Sequence, residues 1–140
     1  MTSVLMIHLG ATVLMAGLIL FVQIVHYPLM ARVGEKNFER YEAGHTFRTG
    51  LLVVPLMIAE SISALWLVAV PAAEGDRLLA LTGLAFLGVI WLSTALLQAP
   101  AHRRLIRGFD AAVHAKLVRT NWIRTLSWLA RVPIAFALFL

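Results

Sequence analysis

The chain has 140 residues, of which 61% are hydrophobic and 14% are charged, against roughly 45–50% and 25% in a typical globular domain. Its formal net charge is +5, and it contains no cysteine, so disulfides, thiolate metal sites and nucleophilic cysteine chemistry are excluded. A water-soluble domain of this size needs far more polar surface, so the composition favours an integral membrane protein.

Four stretches are apolar enough to cross a bilayer core, which takes about 20 predominantly apolar residues in a helix. The first stops at Pro28, the second contains Glu60, the third has no ionisable residue, and the fourth carries Arg124 and Arg131. We expect an all-α membrane protein, a four-transmembrane-helix bundle that forms one integral membrane domain over residues 1–140. The predicted spans cover about residues 4–27, 51–70, 78–98 and 121–140.

The lysines and arginines outside the spans are distributed unevenly. Four lie between spans one and two, one lies between spans two and three, and five lie between spans three and four. The positive-inside rule then predicts that both long connections are cytoplasmic and that both termini lie outside. Basic residues next to a membrane also attract anionic lipid, which explains the net charge without nucleic acid as a partner.

Both long connections have apolar residues at helical spacing, so we expect two cytoplasmic amphipathic connector helices, over about 35–48 and 101–119. The two halves of the chain also resemble each other. Gln23 and His26 close span one, as Gln98 and His102 close span three. This pattern suggests a duplicated hairpin, with chance similarity in so apolar a chain as the competing explanation.

Polar residues are costly inside a membrane and default to functional hypotheses. Most of them map within a turn or two of the predicted cytoplasmic ends of the spans, which predicts a polar site at that side of the bundle. Tyr27, Tyr41 and Trp122 are typical of an interfacial aromatic belt. The polar residues expected at the site are Gln23, His26, His45, Gln98, His102, Asn121 and Arg124.

Within this set, Glu42 and His45 are spaced so that they share one helix face, and His26 and His102 close two other helices. Imidazole and carboxylate together suit iron, copper, manganese or zinc. We therefore predict that His26, Glu42, His45 and His102 can bind a transition metal. The alternatives are a haem b held by His26 and His102, and histidines that only satisfy helix ends or headgroups.

Glu60 and Arg131 each lie about ten residues into a span, near the midplane. Because an unpaired charge is expensive there, we expect the two side chains to face each other inside the bundle. The pair is either purely structural, or Glu60 handles protons or orients substrate. His26, His45 and Glu60 are accordingly the predicted catalytic residues.

The motifs Gln23-x-x-His26-Tyr27-Pro28, Gln98-x-Pro100-x-His102 and Asn121-Trp122-x-Arg124 carry a resemblance. Over nearly the whole chain, the sequence resembles a widespread, mostly uncharacterised family of small bacterial four-helix membrane proteins. It is distantly similar to the anthrone-oxygenase-like membrane proteins, whose members use molecular oxygen and depend on histidines. The resemblance implies a bacterial inner-membrane protein.

These observations lead to three hypotheses. The first is a membrane oxidoreductase or oxygenase-like enzyme that binds a small apolar substrate among the spans and uses the His/Glu site, with or without a metal. The second is a membrane anchor subunit that binds haem or quinone. The third is a non-catalytic protein that binds lipid or a partner. The expected partners are the lipid bilayer, a small apolar ligand and, for a small membrane protein, a second copy of the chain.

Overall fold

The computed structural model describes residues 1–73 and 75–140 and is helical over 88% of the chain. Four helices account for most of it, and each is long and apolar enough to cross a membrane. This confirms the predicted all-α fold and its four apolar helices. We name them α1 (Thr2–Met30), α2 (Glu35–Ala69), α3 (Asp76–Leu105) and α4 (Ala111–Phe139).

The helices pack as a ring in which α1 contacts α2 and α4, and α3 also contacts α2 and α4. Met15, Phe38, Leu87, Ile90 and Trp128 belong to the buried apolar core between them. Large apolar side chains also cover the outside of every helix. A helix that is apolar on all sides is typical of a membrane span, because its outer face meets lipid rather than water.

Glycines in unusual backbone conformations separate the helices at the two long connections. Gly34 precedes α2 with φ of +82°, and Gly108 precedes α4 with φ of +135°. Residues with a Cβ rarely adopt such angles, so the chain can turn sharply at these two positions. Asp110 then caps α4, because its Oδ1 accepts a hydrogen bond of 3.0 Å from the Val113 N–H.

The connections themselves differ from the prediction. Residues 35–48 are not a separate surface helix but the first part of α2, which continues without a break to Ala69. Residues 101–119 are divided between the end of α3 and the start of α4. The two separate connector helices are therefore not confirmed. No proline interrupts residues 35–54, and Phe38 and Glu42 are buried against the bundle, so the segment extends the span.

Two of the spans contain a π-helical turn, at Val22–His26 in α1 and at Thr94–Gln98 in α3. Each turn ends two residues before a proline, Pro28 in α1 and Pro100 in α3. A proline inside a helix has no N–H to donate, and its ring clashes with the carbonyl four residues earlier. The wider π-helical turn accommodates the proline ring while the helix continues.

The hydrogen bonds at these turns show how the change is made. The Tyr27 N–H bonds to the Val22 carbonyl, five residues back, and the Ala99 N–H bonds in the same way to Thr94. An ordinary α-helix would use the carbonyl four residues back. The extra residue rotates the following side chains relative to the preceding helix, and such turns often occur at functional sites.

The two halves of the chain thus share one order of elements, a span with a π-helical turn followed by a long helix. The paired residues do not occupy equivalent positions, because the turn in α1 ends at His26 whereas the turn in α3 ends at Gln98 and not at His102. The duplicated hairpin stays a prediction.

The predicted contact between Glu60 and Arg131 is confirmed. Both side chains are almost completely buried, and the Arg131 Nε donates to Glu60 Oε1 at 3.0 Å. Thr12 donates to the same oxygen at 2.9 Å, and the Trp128 indole donates to Oε2 at 3.0 Å. Arg131 also donates to the Gly83 carbonyl. Both carboxylate oxygens therefore have protein partners, and the pair links α1, α2, α3 and α4.

Removal of one partner should destabilise the bundle, because the other charge is left buried alone. We expect Glu60→Gln to lower the free energy of unfolding by about 3–5 kcal/mol. The double variant Glu60→Gln with Arg131→Met removes the second charge and should recover most of that loss. The free energy of unfolding of both variants is measured on the protein in detergent micelles.

Glu35→Gln provides the control, since it removes the same charge from an exposed position on the same helix. It should change the free energy of unfolding by about 1 kcal/mol or less. A double variant no more stable than Glu60→Gln would contradict a stabilising ion pair.

Candidate functional site

The polar residues predicted at one side of the bundle do lie together, at the end formed by the C-terminal parts of α1 and α3 and the N-terminal parts of α2 and α4. We call this the polar end. It contains a histidine and carboxylate cluster from α1, α2 and α3, and an amide network from α1 and α4.

The histidine cluster is built around Glu42, which is completely buried. Its Oε1 lies 2.5 Å from His102 Nδ1, and His102 Nε2 lies 3.0 Å from the Tyr27 hydroxyl. An ionised carboxylate can only accept hydrogen bonds, so Nδ1 of a neutral His102 carries the proton and Nε2 accepts from Tyr27. Glu42, His102 and Tyr27 therefore form a continuous hydrogen-bonded chain.

His45 lies beside this chain, one helical turn after Glu42. Its Nδ1 is 3.1 Å from the Thr49 hydroxyl, which engages one ring nitrogen and leaves Nε2 available. The His26 ring stacks on the His45 ring with the centroids 4.2 Å apart. His26 Nε2 in turn lies 3.4 Å from the Tyr41 hydroxyl. The three predicted histidines of the site are therefore neighbours.

Three residues of the predicted metal set lie close together in the structure. Glu42, His45 and His102 each offer one donor atom, and these atoms lie within 4.8 Å of one another. Glu42 Oε2 is buried and has no hydrogen-bond partner among the described residues. A buried carboxylate oxygen without a partner is unfavourable unless something else, such as a cation, occupies that position. The three residues could hold a metal ion.

The amide network joins α1 to α4. Gln23 Nε2 donates to the Val118 carbonyl at 3.1 Å, and Gln23 Oε1 accepts from Asn121 Nδ2 at 2.9 Å. Asn121 Oδ1 then accepts from Arg124 Nη1 at 3.2 Å. These side chains are buried, so the network fixes where the Arg124 guanidinium lies.

Gln98 on α3 belongs to a separate pair of contacts. Its Oε1 accepts from the Ser93 hydroxyl at 2.9 Å, and its Nε2 donates to the Thr120 hydroxyl at 3.2 Å. Gln98 thus joins α3 to α4, as Gln23 joins α1 to α4.

A cavity of about 360 Å³ is lined by residues of the histidine cluster and, from the amide network, by Arg124. Its wall is mostly apolar and includes Met15, Ile19 and Val53. A pocket of this kind, apolar with a few convergent polar groups, is typical of a small-molecule site. The polar lining comprises Tyr27, His45, Thr46, Thr49, Thr94, Gln98, His102, Arg103 and Arg124.

Glu60, one of the predicted catalytic residues, does not line this cavity. Its oxygens are engaged by Thr12, Trp128 and Arg131 in the middle of the bundle. These contacts favour the structural alternative for the pair, and a catalytic role of Glu60 stays an untested prediction. His26 does not line the cavity either but a neighbouring groove, so nothing in the arrangement favours a haem held between His26 and His102.

Tyr27 is the residue whose role differs most from expectation. It is not part of an interfacial belt, since its side chain is 2% exposed and its hydroxyl contacts His102. The His114 imidazole bonds to the Tyr27 carbonyl at 2.9 Å and so fixes its backbone. In the sequence, the signal for this role was that Tyr27 directly precedes Pro28. A helix adjusts its turn before a proline, and the side chain of Tyr27 here lies inside the bundle.

Comparisons with protein-family models, with curated proteins and with solved structures find no match for this chain.

The amide network should be sensitive to loss of its first member. Gln23→Leu leaves the buried Asn121 Nδ2 without its partner, while the Val118 carbonyl keeps its hydrogen bond within α4, so we expect the free energy of unfolding in detergent to fall by about 1–3 kcal/mol. Thr125→Val is the control: the Thr125 hydroxyl is 3.5 Å from Gln23 and also bonds to the Asn121 carbonyl within its own helix. An effect of Gln23→Leu no larger than that of the control would contradict the network.

Proposed function

We propose that this protein is a membrane-embedded oxidoreductase of the oxygenase-like type. In this proposal, Glu42, His45 and His102 bind a transition metal, and a small apolar substrate occupies the adjoining cavity. One observation carries the proposal: three donor residues from two helices converge within 4.8 Å, two of them on the wall of an apolar cavity.

The donor set supports iron in particular. Two histidines and one carboxylate with open positions are the ligand set of the non-haem iron(II) oxygenases. Three protein ligands also leave coordination positions free, which is typical of catalytic rather than structural sites. A bound iron would supply redox chemistry with dioxygen as the oxidant.

The surroundings of the three residues fit such a site. Thr49 holds one nitrogen of His45 and leaves the other free, as the hydrogen-bond partners of metal-bound histidines do. Glu42 has one oxygen without a partner. For His102, coordination through Nδ1 would replace the hydrogen shared with Glu42, and Nε2 would then donate to Tyr27. Each of the three residues can therefore offer one atom to the metal. The other ring nitrogen of each histidine is held by a hydroxyl group of the protein.

The same geometry supports a second candidate without a metal. Tyr27, His102 and the buried Glu42 form a hydrogen-bonded chain, and both Tyr27 and His102 line the cavity. Such a chain can move a proton between a substrate and His102, with Glu42 stabilising the imidazolium. In this case the protein would abstract an acidic proton from its substrate.

We further propose that the polar end faces the cytoplasm of a bacterial cell, with both termini on the other side. The basic residues that flank the spans support this orientation, since nine lie in the connections at the polar end and one at the opposite end. A cytoplasmic polar end would place the site next to the inner leaflet.

Metal content of the purified protein tests the leading proposal. After loading with iron(II) without oxygen and removal of free metal, we expect about one ion per chain by elemental analysis. Glu42→Gln, His45→Ala and His102→Ala should each reduce metal affinity more than about tenfold. His26→Ala should retain the metal, because His26 only stacks on His45.

The control is His114→Gln, a buried histidine at the same end that bonds to the Tyr27 backbone carbonyl and is not one of the three donor residues. It should bind metal as the unaltered protein does. Absence of metal from the unaltered protein, or equal loss in His114→Gln and His45→Ala, would refute the metal site. The proton-transfer candidate would then be tested by Tyr27→Phe.

The support that Thr49 gives to His45 allows a finer test. Thr49→Val removes the hydroxyl that bonds to His45 Nδ1, so we expect metal affinity to fall by about tenfold while the protein stays folded. Thr46→Val is a matched control, since the Thr46 hydroxyl lies one turn away and bonds only to backbone carbonyls. Equal metal affinities of the two variants would show that Thr49 does not orient a ligand.

A further inference from the structure

Arg124 is a buried cation without an anion. Its side chain is 7% exposed, and no aspartate or glutamate among the described residues lies within salt-bridge distance of it. The other buried arginine, Arg131, contacts Glu60 directly. Arginine stays charged in proteins, and a buried charge is unfavourable unless it is paired.

The neighbours of Arg124 are neutral. Nη1 donates to the Asn121 amide oxygen at 3.2 Å, the guanidinium carbon lies 5.2 Å from the centre of the Trp128 ring, and Nε has no partner in the described part of the chain. A neutral amide and an aromatic face orient a guanidinium but do not neutralise it. Its hydrogen-bonding capacity is therefore only partly used.

Arg124 lines the same cavity as His45 and His102. A molecule in that cavity would meet apolar side chains over most of its surface and a guanidinium on one wall. The planar guanidinium matches the geometry of a carboxylate, with which it forms paired charge-assisted hydrogen bonds. Arg103 also lines the cavity, but it is exposed, so its charge is solvated without a ligand.

We propose that the cavity binds an apolar carboxylic acid as its carboxylate, with the carboxylate paired to Arg124 and the apolar part packed against α1 and α2. This inference rests on the proposed function and names the substrate class of the same site. Arg124 would hold one end of the substrate, and the part to be oxidised would lie toward Glu42, His45 and His102. A cavity of about 360 Å³ suits a molecule that contains one ring or two fused rings.

Binding of matched naphthalene probes tests the proposal. The protein is reconstituted in lipid nanodiscs, treated with EDTA to exclude metal as the binding group, and titrated with 2-naphthoate, 2-naphthol and 2-methylnaphthalene. Isothermal titration calorimetry reports binding, with empty nanodiscs as the blank. We expect 2-naphthoate to bind at least about tenfold more tightly than either neutral probe.

Variants of the two arginines that line the cavity identify which of them binds the carboxylate. Arg124→Gln should weaken 2-naphthoate binding by at least about tenfold and leave 2-methylnaphthalene within about twofold, while Arg124→Lys should recover part of the loss. Arg103→Gln is the matched control and should change 2-naphthoate binding by less than about threefold, because that charge is exposed. Circular dichroism at increasing temperature verifies that each variant is folded.

Three outcomes would overturn the proposal. One is equal affinity of the unaltered protein for 2-naphthoate and 2-methylnaphthalene, and another is tighter binding of 2-naphthol than of 2-naphthoate. The third is loss of 2-naphthoate binding in Arg103→Gln but not in folded Arg124→Gln. Since metal is excluded from these titrations, failure of the metal site would leave the carboxylate preference intact, and failure of that preference would leave the metal content unchanged.

Discussion

Every polar group inside this bundle depends on the protein for its partners, because apolar side chains surround it and cover the outside of all four helices. Most of the buried polar side chains meet this requirement through contacts between helices, as Glu60 does with Arg131 and Gln23 with Asn121. Three buried atoms in the described residues do not, and they belong to Glu42, Arg124 and Arg131. Glu42 and Arg124 lie at the polar end, where each has a hydrogen-bonding atom that no described residue engages.

Much of the fold followed from the sequence because the length of an apolar helix and the cost of a lone buried charge can both be estimated from it. The four apolar helices and the pairing of Glu60 with Arg131 could be predicted from span length and from the cost of a lone charge at the midplane. The helix ends could not. Hydropathy marks where lipid can surround a helix, whereas α2 begins at a backbone turn after Gly34, well before its apolar part.

The site was predictable at the level of residue type but not of contact. Glu42 and His45 share a helix face by their spacing, and His102 was singled out by its place at the end of a span. The hydrogen bond from Tyr27 to His102 depends on how α1 turns before Pro28, which a regular helical period does not describe. The isolation of Arg124 from acidic residues likewise becomes visible only when four helices are packed.

The ion pair in the middle of the bundle also determines the rotational setting of the helices at the polar end. On α2, Glu42 and Glu60 are separated by about five full turns, so both point to the same side of that helix. On α4, Arg124 and Arg131 are separated by about two turns, with the same result. When Glu60 and Arg131 engage, they fix the angle of both helices about their axes and thereby aim Glu42 and Arg124 inward. A charge pair in the middle of the bundle can in this way set the geometry of a site several turns away.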